Sequence, residues 1–349
     1  MNIQAAISKL TQPQNLSSTE MRVVMQQIMT GEASDAQIAG FLIALRMKGE
    51  TVDEIAAAAM VMRELATKVV TNKKTLVDIV GTGGDGAKLF NVSTASSFVA
   101  AAAGCSVAKH GNRSVSSSSG SADLLESAGV ALDLNAEEVA RCIDEVGLGF
   151  MFAVNHHSAM KYAIGPRKEL ATRTIFNMLG PMTNPAGATR QLLGVYSKEL
   201  VSPIAHAMNA LGSEHILVVH SADGLDEISI ADKTYVAELK DGSIKEYSIQ
   251  PEDFAITRKS IQPITVDTPE QSLSLIKSAF EIKSQDNSAL AAKDIIALNA
   301  GAAIYVSGNA GSLKLGVETA QDILGSGSAK EKLSQLAEFS QLIKQNRMK

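Results

Sequence analysis

The sequence predicts an α/β protein: a small all-helical domain, residues 1–72, ahead of a large α/β domain, residues 73–349, with a mostly parallel central sheet flanked by helices. Three observations predict it. Up to residue 72 the chain carries only helical periodicity and helix-start chemistry. From Thr75 a strand, a glycine loop, a helix and a second strand succeed one another, the order of a βαβ unit. Beyond that unit, short β-rich runs alternate with helical segments. At 349 residues the chain suits one large domain and one smaller one.

In the first region Ser17-x-x-Glu20, Ser34-x-x-Gln37 and Thr51-x-x-Glu54 are capping boxes, each satisfying orphan amides at a helix start. Gly31 and Gly49 stand where the second and third helices should stop. Ile38, Phe41, Leu42 and Leu45 make one apolar stripe on the third. The first strand is Leu76-Val77-Asp78-Ile79-Val80, ending in Gly81. A helix over about 93–103 follows, then Cys105-Ser106-Val107-Ala108 as the second strand. Further strands are predicted at Gly149-Phe150-Met151-Phe152 and at 215–220, with a hairpin turning at Asp241-Gly242. Helices are predicted at about 136–146, 199–211, 269–281 and 289–306.

Composition excludes several function classes. A net charge of −5 opposes nucleic-acid or membrane-surface binding, which a basic field would favour. Cys105 and Cys142, the two cysteines, read as buried free thiols. The N-terminus lacks a signal-peptide core, and no stretch is expected to span a bilayer, so a cytoplasmic enzyme is the expectation.

The chemistry-bearing residues gather at strand ends. Gly81-Thr82-Gly83-Gly84-Asp85-Gly86 leaves the first strand, and Asn91-Val92-Ser93-Thr94 opens the next helix. Glycines admit an anion to the backbone and helix N-terminal amides point at it. A tight turn with Asn91 or Ser93 as a simple cap explains the loop equally well on its own. The second strand is expected to run into a polar loop, Lys109-His110-Gly111-Asn112-Arg113 followed by residues 116–119 and Gly120-Ser121. Parallel strands bring these carboxyl ends to one crevice, where Lys109 and Arg113 offer charge to phosphate and the serines offer hydrogen bonds. Asp226 and Glu227 follow the 215–220 strand and suit Mg²⁺, a hard cation. Arg167, expected at a helix start where it opposes the macrodipole, suits a substrate carboxylate; an ion pair with Glu169 is the alternative. His156 and His157 lack a third ligand at zinc spacing and read as pocket or packing residues.

In order along the chain, these four segments resemble the anthranilate phosphoribosyltransferase family as far as about Val317. The resemblance implies a homodimer with its active site between the two domains, the smaller gaining a helical contribution from about 167–190. It implies Mg²⁺-dependent transfer of a phosphoribosyl group from 5-phosphoribosyl 1-pyrophosphate to the amine of anthranilate, in tryptophan biosynthesis. By that resemblance the phosphoribosyl pyrophosphate meets Gly81, Gly84, Asp85, Asn91, Val92, Ser93, Thr94, Lys109, His110, Gly111, Ser117 and Ser121. Anthranilate meets Gly81, Asn112, His157 and Arg167, and the metal meets Ser93, Asp226 and Glu227. No side chain is assigned as general acid or base. Three places depart from the family pattern: Leu89 for a usual hydroxyl residue, Ser118 for a common lysine, and Gly165-Pro166 before Arg167. They lead us to expect a changed affinity for the phosphoribosyl substrate. A pyrimidine nucleoside phosphorylase on the same scaffold is the nearest rival; a non-catalytic, nucleic-acid-binding paralogue is the rival from another class.

Overall fold

The structure, a computed structural model, describes residues 1–113, 119–284 and 286–347. Four helices form the N-terminal bundle: α1 (Ile3–Leu10), α2 (Ser18–Thr30), α3 (Asp35–Lys48) and α4 (Val52–Leu65). All three capping boxes are made, and Gly31 and Gly49 take positive φ at the ends of α2 and α3. Inside the bundle the Glu54 carboxylate accepts from Leu16 N–H, Thr51 N–H and Lys48 Nζ, at 2.8, 2.8 and 2.7 Å. A buried charge persists when its lone pairs are filled in this way. The later helix Lys161–Leu170 packs on α2 and α3, so a distant part of the chain joins the bundle.

Seven strands form one sheet: β1 (Val77–Gly81), β2 (Val107–Gly111), β3 (Leu148–Phe152), β4 (Arg190–Gly194), β5 (His215–Ser221), β6 (Thr234–Lys240) and β7 (Ser243–Ile249). Their order is β3-β2-β1-β4-β5-β6-β7. The first five are mutually parallel, and β6 and β7 add an antiparallel hairpin at one edge. Alternation along the central strands divides the core. Leu192, Leu217, Val219 and Val236 join the cluster built on α5 (Val92–Ala102) and the helix Asn287–Ser307. Leu193, Ile216, Val218 and Ala237 join the cluster that runs into the helical bundle. A period of two puts neighbouring residues on opposite faces, so the sheet is apolar on both sides.

Several expectations shift. β2 begins two residues later than expected and takes in Lys109, His110 and Gly111, which are strand rather than loop. β4 was not anticipated. Helix Lys161–Leu170 contains Pro166 and carries Arg167 in its last turn, where a cation complements the macrodipole; Gly165-Pro166 therefore does not open a helix. Helices Leu313–Ser326 and Ser328–Arg347 were likewise not anticipated. The expectation that no stretch could span a bilayer fails by length and composition: Asn287–Ser307 has 21 residues, and its most apolar 18-residue window has a mean hydropathy of 1.4. Its apolar window is 78% buried within the protein, as a core helix packed on α5 and the sheet.

Candidate active site

Strand order reverses beside β1, because β2 lies on one side of it and β4 on the other. Such a switch point opens a crevice at the carboxyl ends of parallel strands. Asp226 fills its floor, having entered from the segment after β5. A Cβ on Gly81, which ends β1, would stand 2.4 Å from Asp226 Oδ2. A Cβ on Gly194, which ends β4, would stand 1.6 Å from the Asp226 carbonyl oxygen. Glycine is therefore required at both strand ends by the close approach of this one acid. Gly83 and Gly84 have φ of 66° and 82°, and Gly83 N–H donates to Asp226 Oδ2 at 2.7 Å.

The expected phosphate residues converge beside it. Asn91 occupies the N-cap position of α5 without capping it. Its side chain turns away: Oδ1 accepts from Ser119 Oγ at 2.7 Å and Ser272 Oγ at 2.8 Å, and Nδ2 donates to the Ser119 carbonyl at 3.0 Å. In the first turn of α5, Val92 N–H donates to the Phe90 carbonyl at 2.7 Å, while the Ser93 amide lies towards the Glu227 carboxylate and favours its charged form. Thr94 Oγ1 donates to Ser121 Oγ at 3.1 Å, joining the start of α5 to the segment after β2. Lys109 is 2% exposed; its Nζ donates to the Ile79 carbonyl at 2.7 Å and lies 3.5 Å from Ser93 Oγ. Burial pulls the Lys109 amine down from its usual range, while Asp78 and Glu227 oppose that pull.

The acids are strained electrostatically. Burial first, then the charge of Asp85, raises Asp226 to about 7. Burial and Asp226 push Glu227 well above the carboxylate range, with Lys109 acting against them. Two adjacent oxygen-ligand acids that repel each other beside a hydroxyl fit a hard divalent cation such as Mg²⁺. Among the described residues no group of three His, Cys, Asp or Glu side chains is placed to hold a metal, so the Ser93 hydroxyl and substrate oxygens would complete the sphere.

Other expected residues fall differently. Arg113 donates to Asp123 and Glu126, both at 2.8 Å, so its charge is engaged by acids rather than free for phosphate. Asn112 lies just past β2, its Oδ1 accepting from Arg113 N–H at 2.8 Å. Arg167 lies over the Phe176 ring at 5.3 Å, and forms no ion pair with Glu169 or any other acid among the described residues. His157 packs 5.1 Å from His110, each with a buried Nε2 that lacks a partner, and burial lowers both imidazoles, His157 to about 4. His156 shares that pattern, its Nδ1 3.1 Å from the Thr67 carbonyl. Leu89 forms an isolated bridge with Thr265 and packs on the core. Ser116, Ser117 and Ser118 lie outside the described residues.

Two residues of the site carry little signal in the sequence. Asp78 is fully buried under the site, accepting from His110 N–H at 3.2 Å and Asn184 Nδ2 at 2.7 Å. Arg173 donates from Nη2 to the Gly84 carbonyl. An acid inside an apolar strand was the available signal for Asp78; nothing local marked Arg173.

Comparison with known proteins places the chain among its relatives. The glycosyl transferase family's helical bundle domain matches residues 4–66, and its a/b domain matches residues 73–330. An anthranilate phosphoribosyltransferase of Marinomonas sp. (strain MWYL1) is 62% identical over 340 residues, covering 97% of each chain. The crystal structure of anthranilate phosphoribosyltransferase from Thermus thermophilus superposes with a TM-score of 0.90 at 42% identity, over 96% of this chain and 99% of that one. The Saccharomyces cerevisiae anthranilate phosphoribosyltransferase in complex with PRPP and Mg gives a TM-score of 0.87 at 27% identity, over 97% and 98% of the two chains.

Proposed function

This chain belongs to the anthranilate phosphoribosyltransferase family, and on that premise we propose how its residues divide the work. It is a glycosyltransferase of tryptophan biosynthesis that moves the phosphoribosyl group of 5-phosphoribosyl 1-pyrophosphate onto the amine of anthranilate, with Mg²⁺ as cofactor. The bond from ribose C1 to the pyrophosphate oxygen breaks and a bond from C1 to nitrogen forms. Pyrophosphate leaves with its electron pair, and the amine loses a proton once its nitrogen has become cationic and acidic. No strong base is needed, because an aromatic amine is a neutral nucleophile at physiological pH.

The Ser93 and Thr94 amides at the start of α5, the glycine loop and Lys109 bind the pyrophosphate and receive the charge that develops on it. Ser93, Asp226 and Glu227 hold Mg²⁺, which when bound supplies positive charge to the leaving group. Arg167, Asn112, His157 and Gly81 receive anthranilate, the guanidinium pairing with its carboxylate. Packing between the bundle and the sheet excludes water that would hydrolyse the activated sugar.

The observation that carries this reading is the pair Asp226 and Glu227 closing on the uncapped start of α5 beside a buried lysine. Phosphorolysis of a nucleoside has no use for such a pair. Anthranilate fluorescence is expected to disappear only when phosphoribosyl pyrophosphate and Mg²⁺ are both present; loss without either one refutes the reading. Arg167→Ala is expected to raise KM for anthranilate by about 10- to 100-fold, with KM for the phosphoribosyl substrate unchanged. An equal rise in both removes the carboxylate role.

We also place the enzyme in the cytoplasm as a homodimer. Its charged phosphosugar substrate and two buried free thiols support the first. Exposed Val23, Met47 and Ile164 on the helical domain support the second, which sedimentation tests.

A further inference from the structure

We infer that Arg173 is a positioning residue for the pyrophosphate loop, making the conformation of residues 83–85 depend on where the helical bundle sits. The inference rests on that loop binding pyrophosphate, as proposed above.

Arg173 lies between helix Lys161–Leu170 and the short helix Phe176–Leu179. Its guanidinium donates to the Gly84 carbonyl, and a Cβ on Gly84 would lie 3.6 Å from its Nε and Nη2. The same guanidinium covers the Tyr196 ring at 4.2 Å, and Tyr196 N–H donates to Thr82 Oγ1 at 3.0 Å. One side chain therefore touches the glycine loop at Gly84 and, through Tyr196, at Thr82.

The other end of the path is in the bundle. Arg46, in the last turn of α3, donates from Nη1 to the Arg173 carbonyl at 2.6 Å and also to Thr172 Oγ1. A continuous line thus runs from α3 through Arg46 and residues 172–173 to the glycine loop. No other hydrogen bond among the described residues anchors the carbonyl of Gly84.

Peptide geometry gives this line a consequence. In a planar trans peptide the C=O and the following N–H point in opposite directions. Holding the Gly84 carbonyl on Arg173 therefore fixes the Asp85 N–H away from it. On the inner side Gly83 N–H is held by Asp226. The loop is clamped at the 82–83 peptide from the metal acids within and at the 84–85 peptide from the bundle without, with only the 83–84 peptide between them. Gly83 and Gly84 have no side chains and positive φ, so without the outer clamp their peptides are free to turn. A shift of α3 reaches Gly84 through Arg46 and alters the direction of a loop amide.

Steady-state kinetics on Arg173→Ala, Arg46→Ala and the double variant test this, with a thermal melt of each. Arg173→Ala is expected to raise KM for phosphoribosyl pyrophosphate about tenfold and leave KM for anthranilate unchanged. Arg46→Ala is expected to act in the same direction more weakly. The double variant should be no worse than Arg173→Ala, because both residues lie on one path. Strictly additive effects, an unchanged KM for the phosphoribosyl substrate, or an equal rise in both KM values overturns the inference. If Arg173→Ala does not fold, Arg46→Ala alone carries the test: a selective rise supports the inference and no change overturns it. Wild-type protein that does not consume anthranilate would instead refute the proposed function, whatever the variants do.

Discussion

Two acidic assemblies lie at opposite ends of the same strands and are built in opposite ways. Beside the start of β5, Glu238 of β6 accepts from Tyr305 Oη at 2.7 Å, Tyr247 Oη at 2.9 Å and His215 Nε2 at 3.0 Å. These donors outweigh the effect of burial and bring its carboxyl down to about 2. Beyond the end of β5, Asp226 and Glu227 face each other and Asp85, with a few amides and one lysine against them, and both are pushed up. The contrast is between a carboxylate whose lone pairs are filled by its own chain and a pair left short of cations. The first stabilises the fold; the second suits a cation, which when bound would remove a repulsion the folded chain otherwise carries.

The largest separation of the two should appear in catalysis. Asp226→Asn with Glu227→Gln is expected to lower kcat/KM by at least about 10³-fold, whereas Glu238→Gln leaves it within about twofold. Comparable losses from both would show that the two ends are not functionally distinct. Next comes stability. Glu238→Ala strands two tyrosine hydroxyls and an imidazole, and should cost about 1–3 kcal/mol in a urea titration at neutral pH. No change would mean that solvent satisfies all three donors.

The pH dependence of the Glu238 assembly follows from its sign. Its carboxyl sits near 2 in the folded protein against 4.5 as the ordinary value. The unfolded chain therefore binds more protons between those values. The contribution is fully present above about 4.5 and lost as pH falls towards 2. A wild-type stability advantage over Glu238→Gln that persists undiminished through this window contradicts the assignment.

What could be read from the sequence was whatever is local. The capping boxes at Ser17, Ser34 and Thr51 need only three residues of separation, and all three form. The glycine loop and the acids at 226 and 227 were legible because each follows a β-rich run. Lys109 to Gly111 look like loop in the sequence because polar residues rarely occupy a buried parallel strand; here Lys109 finds the Ile79 carbonyl and His110 N–H finds Asp78. β4 escaped notice because Arg190 and Gln191 leave only three residues to suggest a strand. Arg113 offers charge to phosphate on sequence alone because Asp123 and Glu126 lie in the next helix, where only the fold brings them to its guanidinium. Asp78 with Asn184, Arg173 with Gly84, and Glu238 with Tyr305 are pairings across long stretches of chain, which periodicity does not encode.

The smallest expected effect is also the most direct test of the contrast. At pH 8, in metal-free buffer, the thermal midpoints of wild type, Asp226→Asn and Glu238→Gln separate the two kinds of acid. Removing the charge at Asp226 should relieve repulsion and raise stability by about 1 kcal/mol, while Glu238→Gln should lower it. A midpoint that falls for Asp226→Asn as it does for Glu238→Gln would contradict the account, because Asp226 would then be a satisfied structural acid like the other.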